Sequence, residues 1–216
     1  MKPQKISLHN KQPQRRRASF CFAATLLLLI GGFAFSRPVL DNRRQRTNQQ
    51  SASSACTQPQ ARQFDFWIGE WQIHQKLLQA DGSWLSLKAE TKVSPTLDGC
   101  ALVESWSGEV LFFWEGMKKP EPLQGYSVRA YDPQTGKWFI HWMDTRSPRL
   151  TTFEGSFEGN QGVFQHTSVG ADGKPQVRRI VFSHITAASV RWELAISSNQ
   201  GATWQPLWVM EMTKRE

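Results

Sequence analysis

From residue 64 onward, the sequence alternates apolar and polar residues in short runs. In the run 84–93, the odd positions from Leu85 to Val93 are apolar or small, and most even positions carry Lys, Glu or Ser. A side-chain period of two is typical of a strand with one buried face. Turn-forming segments such as 132–136 separate the runs. Ten strands are predicted, at 67–78, 84–93, 101–111, 124–131, 138–144, 150–157, 163–169, 177–185, 190–197 and 204–213.

This series predicts an all-β fold, because no amphipathic helix of normal length interrupts it. About ten strands joined by short hairpins favour an antiparallel up-and-down barrel. A flat sheet of the same strands would leave two edges open to other chains, and closure into a barrel removes them. A two-layer sandwich is the alternative fold. Barrels of about eight or more strands can enclose a cavity for one small ligand.

The N-terminal region resembles a targeting segment. A basic arm that includes the run 15–17 precedes the nineteen uncharged residues 18–36. This is the pattern of a signal peptide, and its length is also close to the ~20 residues of a bilayer-spanning anchor helix. Either case predicts a hydrophobic N-terminal helix, with the domain outside the cytoplasm in the periplasm or anchored to the membrane. The predicted organisation is therefore a signal peptide or anchor at 1–36, a flexible polar linker at 37–61 and a barrel domain at 62–216.

The positive charge belongs to this arm and not to the domain. Residues 1–60 contain ten Lys and Arg residues and one acid, whereas residues 61–216 contain sixteen Lys and Arg and seventeen Asp and Glu. A nucleic-acid-binding domain should carry a basic patch on its folded surface. The near-neutral domain therefore argues against a nucleic-acid partner.

Two cysteines outside the apolar run, Cys56 and Cys100, form the one pair that can bridge in an oxidising compartment. A bridge would join the linker to the barrel. The alternative is two unrelated thiols.

Several segments of the domain carry a family resemblance. The triplet Gly69-Glu70-Trp71 resembles the Gly-x-Trp signature of lipocalins. The longer matches are the segments ALVESWSG at 101–108, RAYDP at 129–133, SVRW at 189–192 and WVME at 208–211. Together they resemble a bacterial family of unknown-function domains with lipocalin-like, calycin-type barrels. The resemblance covers about residues 64–215 and implies a barrel with an internal cavity, but no activity and no catalytic residues.

Nitrobindin-type and fatty-acid-binding barrels are more distantly similar. The nitrobindin type needs a histidine on the haem iron, and the domain has His74, His141, His166 and His184. None of these falls in a pattern that matches that ligand, so no cofactor is expected. The spacing of histidines and acids also matches no common zinc motif, so no metal site is expected.

Two acids are candidate catalytic groups. Glu104 shares a strand face with Leu102 and Trp106, and a carboxyl held among apolar groups can act as a general acid or base. The alternatives are a solvated Glu104 and a buried Glu104 paired with an arginine for structure. Asp144 shares a face with Ile140 and Trp142, which predicts a position at the barrel mouth if that face points inward.

Candidate ligand-binding residues are large rings and arginines. Arg129, on the face of Tyr131, and Arg179, on the face of Val181, can each pair with Glu104 or grip a ligand carboxylate, provided that they face inward. All ten Trp residues lie between residues 67 and 208, and rings of this size fill a core or line a cavity. The rings predicted to lie in the core or along the cavity are those of Trp71, Trp106, Trp142, Trp192 and Trp208.

These features support three hypotheses. The first is an exported or membrane-tethered barrel that binds a small, largely apolar molecule. The second is a cavity enzyme, such as an isomerase, cyclase or hydratase of a specialised metabolite, that uses Glu104 and Asp144. The third is an envelope scaffold with a solid barrel, which predicts no cavity.

Overall fold

The computed structural model describes residues 56–170 and 173–216. The expected N-terminal hydrophobic helix and most of the expected linker lie outside these residues. Within the described ranges, no helix has the length and apolar character needed to cross a membrane.

The described chain is a closed antiparallel barrel of ten strands, each paired with its neighbours in sequence. The prediction of an all-β up-and-down barrel is confirmed, and the sandwich alternative is wrong. The strands are β1 Gly69–Leu78, β2 Trp84–Thr96, β3 Ala101–Val110, β4 Glu121–Asp132, β5 Lys137–Asp144, β6 Ser147–Glu158, β7 Gln161–Val169, β8 Pro175–Ser183, β9 Ser189–Ser197 and β10 Gln205–Lys214.

Predicted strand ends differ from the observed ones where local turns or prolines intervene. β1 begins at Gly69 and not at residue 67, because Asp65–Trp67 form a 3₁₀ turn. β6 begins at Ser147, before Pro148, and not at residue 150 as predicted. The β5–β6 register shifts between Trp142 and Asp144, so the proline falls in an irregular part of that ladder and interrupts no regular pair.

Pairing between β1 and β10 closes the barrel. Seven residue pairs join the two strands, from Trp71 with Lys214 to Leu77 with Trp208. The first and last strands therefore have no unpaired edge, and every strand of the barrel pairs with two neighbours.

The β6–β7 ladder is the shortest in the barrel. Its five residue pairs end at Glu154 with Gln165, although β6 extends back to Ser147 and β7 continues to Val169. Beyond the last pair, the His166 Nδ1 atom lies 2.9 Å from the backbone oxygen of Thr152. A side-chain contact thus takes the place of ladder pairing at this side of the barrel.

The segment 59–67 closes one end of the barrel, which we call the base. Phe64 is fully buried there, with ring centroids 4.8 Å from Phe157, 4.9 Å from Trp138 and 5.2 Å from Phe182. Edge-to-face packing of this kind fills the base with aromatic side chains. The opposite end, which we call the mouth, carries the β3–β4 loop and the β5–β6 turn.

A disulfide between Cys56 and Cys100 ties the chain before this segment to the start of β3. Of the two alternatives that the sequence leaves open, the structure contains the bridge. Arg62 also donates to the Gly99 backbone oxygen at 3.2 Å, and Trp138 donates to the Gln60 oxygen at 3.2 Å. Residues 56–61, assigned to the flexible linker from sequence, are therefore bonded to the barrel.

We expect the double substitution Cys56→Ser with Cys100→Ser to lower the free energy of unfolding by about 2–4 kcal/mol, because the bridge closes a loop with a sequence separation of 44. Denaturant unfolding of both proteins, with thiol counting on the unreduced wild type, measures the effect. Cys21 can contribute one thiol to this count. More than one free thiol per unreduced wild-type chain, together with equal unfolding midpoints, would contradict the bridge.

Candidate functional site

Above the packed base, the barrel encloses a cavity of about 400 Å³. This volume lies within the range of about 300–1,000 Å³ that is typical of small-molecule pockets. A solid scaffold barrel is therefore not what the structure shows. Most of the wall is aromatic or aliphatic, with contributions from Trp67, Trp106, Phe112, Trp114, Leu123, Ile140, Trp142, Phe153, Ile180, Phe182, Trp192, Leu194, Trp208, Met210 and Met212.

At its lower end, the cavity meets a buried ion pair between Arg129 and Glu104. The two residues are 4% and 5% exposed, and Nη2 of Arg129 donates to Oε2 of Glu104. The Glu104 carboxylate also accepts from the Thr91 hydroxyl at 3.0 Å and the Ser127 hydroxyl at 2.8 Å. A buried charge needs a counter-charge and several hydrogen bonds, and Glu104 has both.

Aromatic rings surround the other side of the Arg129 guanidinium. Its central carbon lies 5.1 Å from the Phe64 ring centroid, 5.2 Å from that of Trp67 and 5.4 Å from that of Phe182. Burial lowers the pKa of Arg129, and the negative charge of Glu104 opposes this shift. Within the described chain, its Nε and Nη1 atoms have no hydrogen-bond partner, so the ring faces are their nearest attractive surroundings.

Seven of the residues predicted as site residues line this cavity. Side-chain alternation along the strands is the reason, since it turns one face of each strand inward, including the face of Glu104 on β3 and that of Asp144 on β5. The pairing of Glu104 with Arg129 corresponds to one of the alternatives weighed from sequence, and a catalytic role for Glu104 stays a prediction. The seven are Glu104, Asp144, Trp106, Arg129, Trp142, Trp192 and Trp208.

Asp144 lies at the mouth, where it organises the β5–β6 turn. Its Oδ1 atom accepts from the backbone N–H groups of Arg146 and Ser147, both at 2.9 Å. Its Oδ2 atom accepts from the Trp142 indole at 2.9 Å. Three donors thus hold the carboxylate, and a catalytic role for Asp144 stays a prediction.

Gly125 leaves room for the Trp142 ring in the cavity wall. A Cβ atom at this position on β4 would lie 1.8 Å from Cη2 of Trp142. Such a distance is far inside van der Waals contact, so a side chain here would force the ring out of its place. The absence of a side chain at Gly125 therefore sets the position of one wall of the cavity.

Three predicted ligand contacts do not line the cavity. Trp71 is fully buried at the base, where its indole donates to the Trp67 backbone oxygen at 2.8 Å. Tyr131 is half-buried, with its ring 5.8 Å from that of Trp138. Arg179 stacks its guanidinium 4.1 Å above the Trp204 ring. On β8 the inward positions are 178, 180 and 182, so Arg179 belongs to the outer face.

Sequence reasoning also missed part of the mouth. The β3–β4 loop folds over it, and the Phe112 ring lies 5.0 Å from that of Trp114 and 5.1 Å from that of Trp208. Four consecutive apolar residues at 111–114 are a signal that this loop is not an ordinary solvated connection. Arg146 reaches the same loop and donates to Glu115 at 2.8 Å.

Among the residues that the structure describes, no group of three His, Cys, Asp or Glu could hold a metal ion.

No protein-family model and no curated protein matches the sequence. Among solved structures, the chain is similar to Rv2717c from M. tuberculosis, with 12% identity, 74% of this chain and 99% of that chain covered, and a TM-score of 0.48. An S-type phycobiliprotein lyase from Guillardia theta has 13% identity, covers 74% and 98%, and has a TM-score of 0.47. A protein of unknown function from the DUF3598 family of Nostoc punctiforme has 9% identity, covers 74% and 100%, and has a TM-score of 0.25.

We expect Glu104→Gln to lower the free energy of unfolding by about 3–5 kcal/mol, because it leaves Arg129 buried without its counter-charge. Glu104→Gln combined with Arg129→Gln should recover part of this loss, since no uncompensated charge then remains. Chemical denaturation measures both variants. Glu154→Gln is the matched control, because it breaks the exposed pair with Lys137 and should hardly move the midpoint. A Glu104→Gln midpoint equal to that of the wild type would show that the pair does not stabilise the barrel.

Proposed function

We propose that the barrel binds one small, largely apolar molecule in its cavity. The observation that carries this proposal is the combination of an open volume of about 400 Å³ with a wall of indole, phenyl and aliphatic groups. Transfer of an apolar molecule from water to such a wall is favourable by roughly 25 cal/mol for each Å² of apolar surface removed from water. The few polar groups along the wall would orient the molecule.

The interior polar groups favour binding over catalysis. The Glu104 carboxylate accepts three side-chain hydrogen bonds, and the Asp144 carboxylate accepts one indole and two backbone N–H groups. A general acid or base must reach the proton that it transfers, and donors already occupy both carboxylates. We therefore place the cavity enzyme second, with Glu104 and Asp144 as its acid–base groups.

A bulky side chain in the cavity should abolish binding without unfolding the barrel. Thr151 lines the cavity and is half-buried, so Thr151→Trp places a ring where the ligand would lie. We expect the wild type to bind members of a lipophilic compound library with a change in Trp fluorescence, and Thr151→Trp to lose this binding. Ser86→Trp, on the exposed face of β2, is the control that adds a Trp outside the cavity.

Two outcomes would count against the proposal. One is that no library member binds the wild type. The other is that Thr151→Trp and Ser86→Trp bind a ligand equally well, which would place its site outside the cavity. Thermal melting of each variant confirms that the barrel is intact.

We propose further that residues 1–36 export the domain or anchor it to a membrane, with the linker from residue 37 leading to the barrel. The basic arm and the uncharged stretch 18–36 support this proposal. The Cys56–Cys100 bridge supports it as well, because disulfides persist in oxidising compartments.

Fusion to alkaline phosphatase, which is active only after export, provides a test in a bacterial host. Fusion after residue 62 should give an active enzyme, and the substitutions Leu27→Arg with Leu29→Arg should abolish the activity, since charges interrupt the apolar stretch. Equal activity of both fusions, or no activity of either, would refute export through this segment.

A further inference from the structure

The inner face of β8 brings an arginine to the cavity that the sequence does not single out. Arg178 lines the cavity and is half-buried, and it lies on the same inner face as Ile180 and Phe182. In the register of the barrel, it is paired with His166 on β7 and with Ile196 on β9. The guanidinium of Arg178 is thus carried by the rigid wall and not by a loop.

The other two cations among the described residues of the cavity wall already have a carboxylate partner. Arg129 pairs with Glu104 at the lower end, and Arg146 pairs with Glu115 at the mouth, at 2.8 Å. The neutralised pairs leave little reason for either arginine to attract a further anion.

Arg178 differs from both. In the part of the chain that the structure describes, its side chain makes no hydrogen bond and no ion pair, although the residue is half-buried. The remaining acid of the wall, Asp144, accepts from the Trp142 indole and from two backbone N–H groups. Arg178, with five guanidinium donors and no acceptor, is therefore the charged side chain of the described cavity wall that lacks a hydrogen-bond partner.

We propose that Arg178 binds a carboxylate on the ligand, while the apolar body of the ligand lies against the indoles of Trp192 and Trp208. This inference rests on the proposed binding function and specifies the ligand class as an apolar carboxylic acid. A carboxylate matches the planar fork of the guanidinium, with which it forms two parallel hydrogen bonds. The cross-strand neighbour of Phe182 is Trp192, so the indole follows the same inner wall as Arg178.

Matched pairs of acids and alcohols separate the carboxylate contact from apolar binding. The probes are dodecanoate with 1-dodecanol, and 2-naphthoate with 2-naphthalenemethanol, measured by calorimetry at about pH 8, where carboxylic acids with a pKa near 4 are ionised. We expect Arg178→Gln to weaken binding of the acids about tenfold, which corresponds to about 1.4 kcal/mol. Binding of the alcohols should stay the same. Arg178→Lys keeps the charge and should retain part of the acid affinity.

Arg179→Gln is the matched control. Arg179 is the next residue on β8, but its guanidinium stacks on Trp204, so the substitution should change the affinity for neither acids nor alcohols. If Arg178→Gln leaves the acid affinity unchanged, or weakens acids and alcohols equally, Arg178 does not bind the carboxylate and the binding function itself stands. If no probe binds the wild type, both the inference and the proposed function fail.

Discussion

Closure of the sheet through β1 and β10 is the constraint on which the rest of the structure depends. Seven residue pairs join these two strands, so the sheet closes into a barrel of ten strands. Barrel diameter grows with strand number, so a barrel of this size has more interior than one layer of side chains fills. The chain must then either pack extra groups inside the barrel or leave a cavity. It packs extra groups at the base and leaves a cavity toward the mouth.

At the base, the chain packs extra groups. The segment 59–67 inserts Phe64 and Trp67 among the strands, and the central carbon of the Arg129 guanidinium lies 5.1 and 5.2 Å from the centroids of their rings. Glu104 then supplies the negative charge that such a buried cation requires. Base packing and the ion pair therefore depend on each other, and the disulfide at Cys100 holds the incoming segment in place. Toward the mouth, no comparable segment from residues 56–170 or 173–216 enters the barrel, and the volume there is left to the cavity.

Much of this was predictable from local pattern. Alternation with a period of two identifies all ten strands. The structure turns the faces of Glu104 and Asp144 inward, which is one of the two orientations that the sequence leaves open. The same rule explains why Arg179 was predicted as a ligand contact although Arg178 lines the cavity, because a shift of one residue reverses the face of a strand. The adjacent arginines of β8 differ by that one position, and the sequence does not state which one faces the cavity. The base was harder to foresee, since the contacts of Phe64 come from residues far along the chain.

The barrel is packed at the base and hollow toward the mouth. A crystal structure of the protein soaked with 2-bromonaphthalene tests this most directly, because the anomalous signal of bromine locates the probe without ambiguity. We predict one bromine peak inside the barrel, against the indoles of Trp106, Trp192 and Trp208, and none among the rings around Phe64. A barrel interior filled by side chains, with bromine bound on the outer surface alone, would contradict the account.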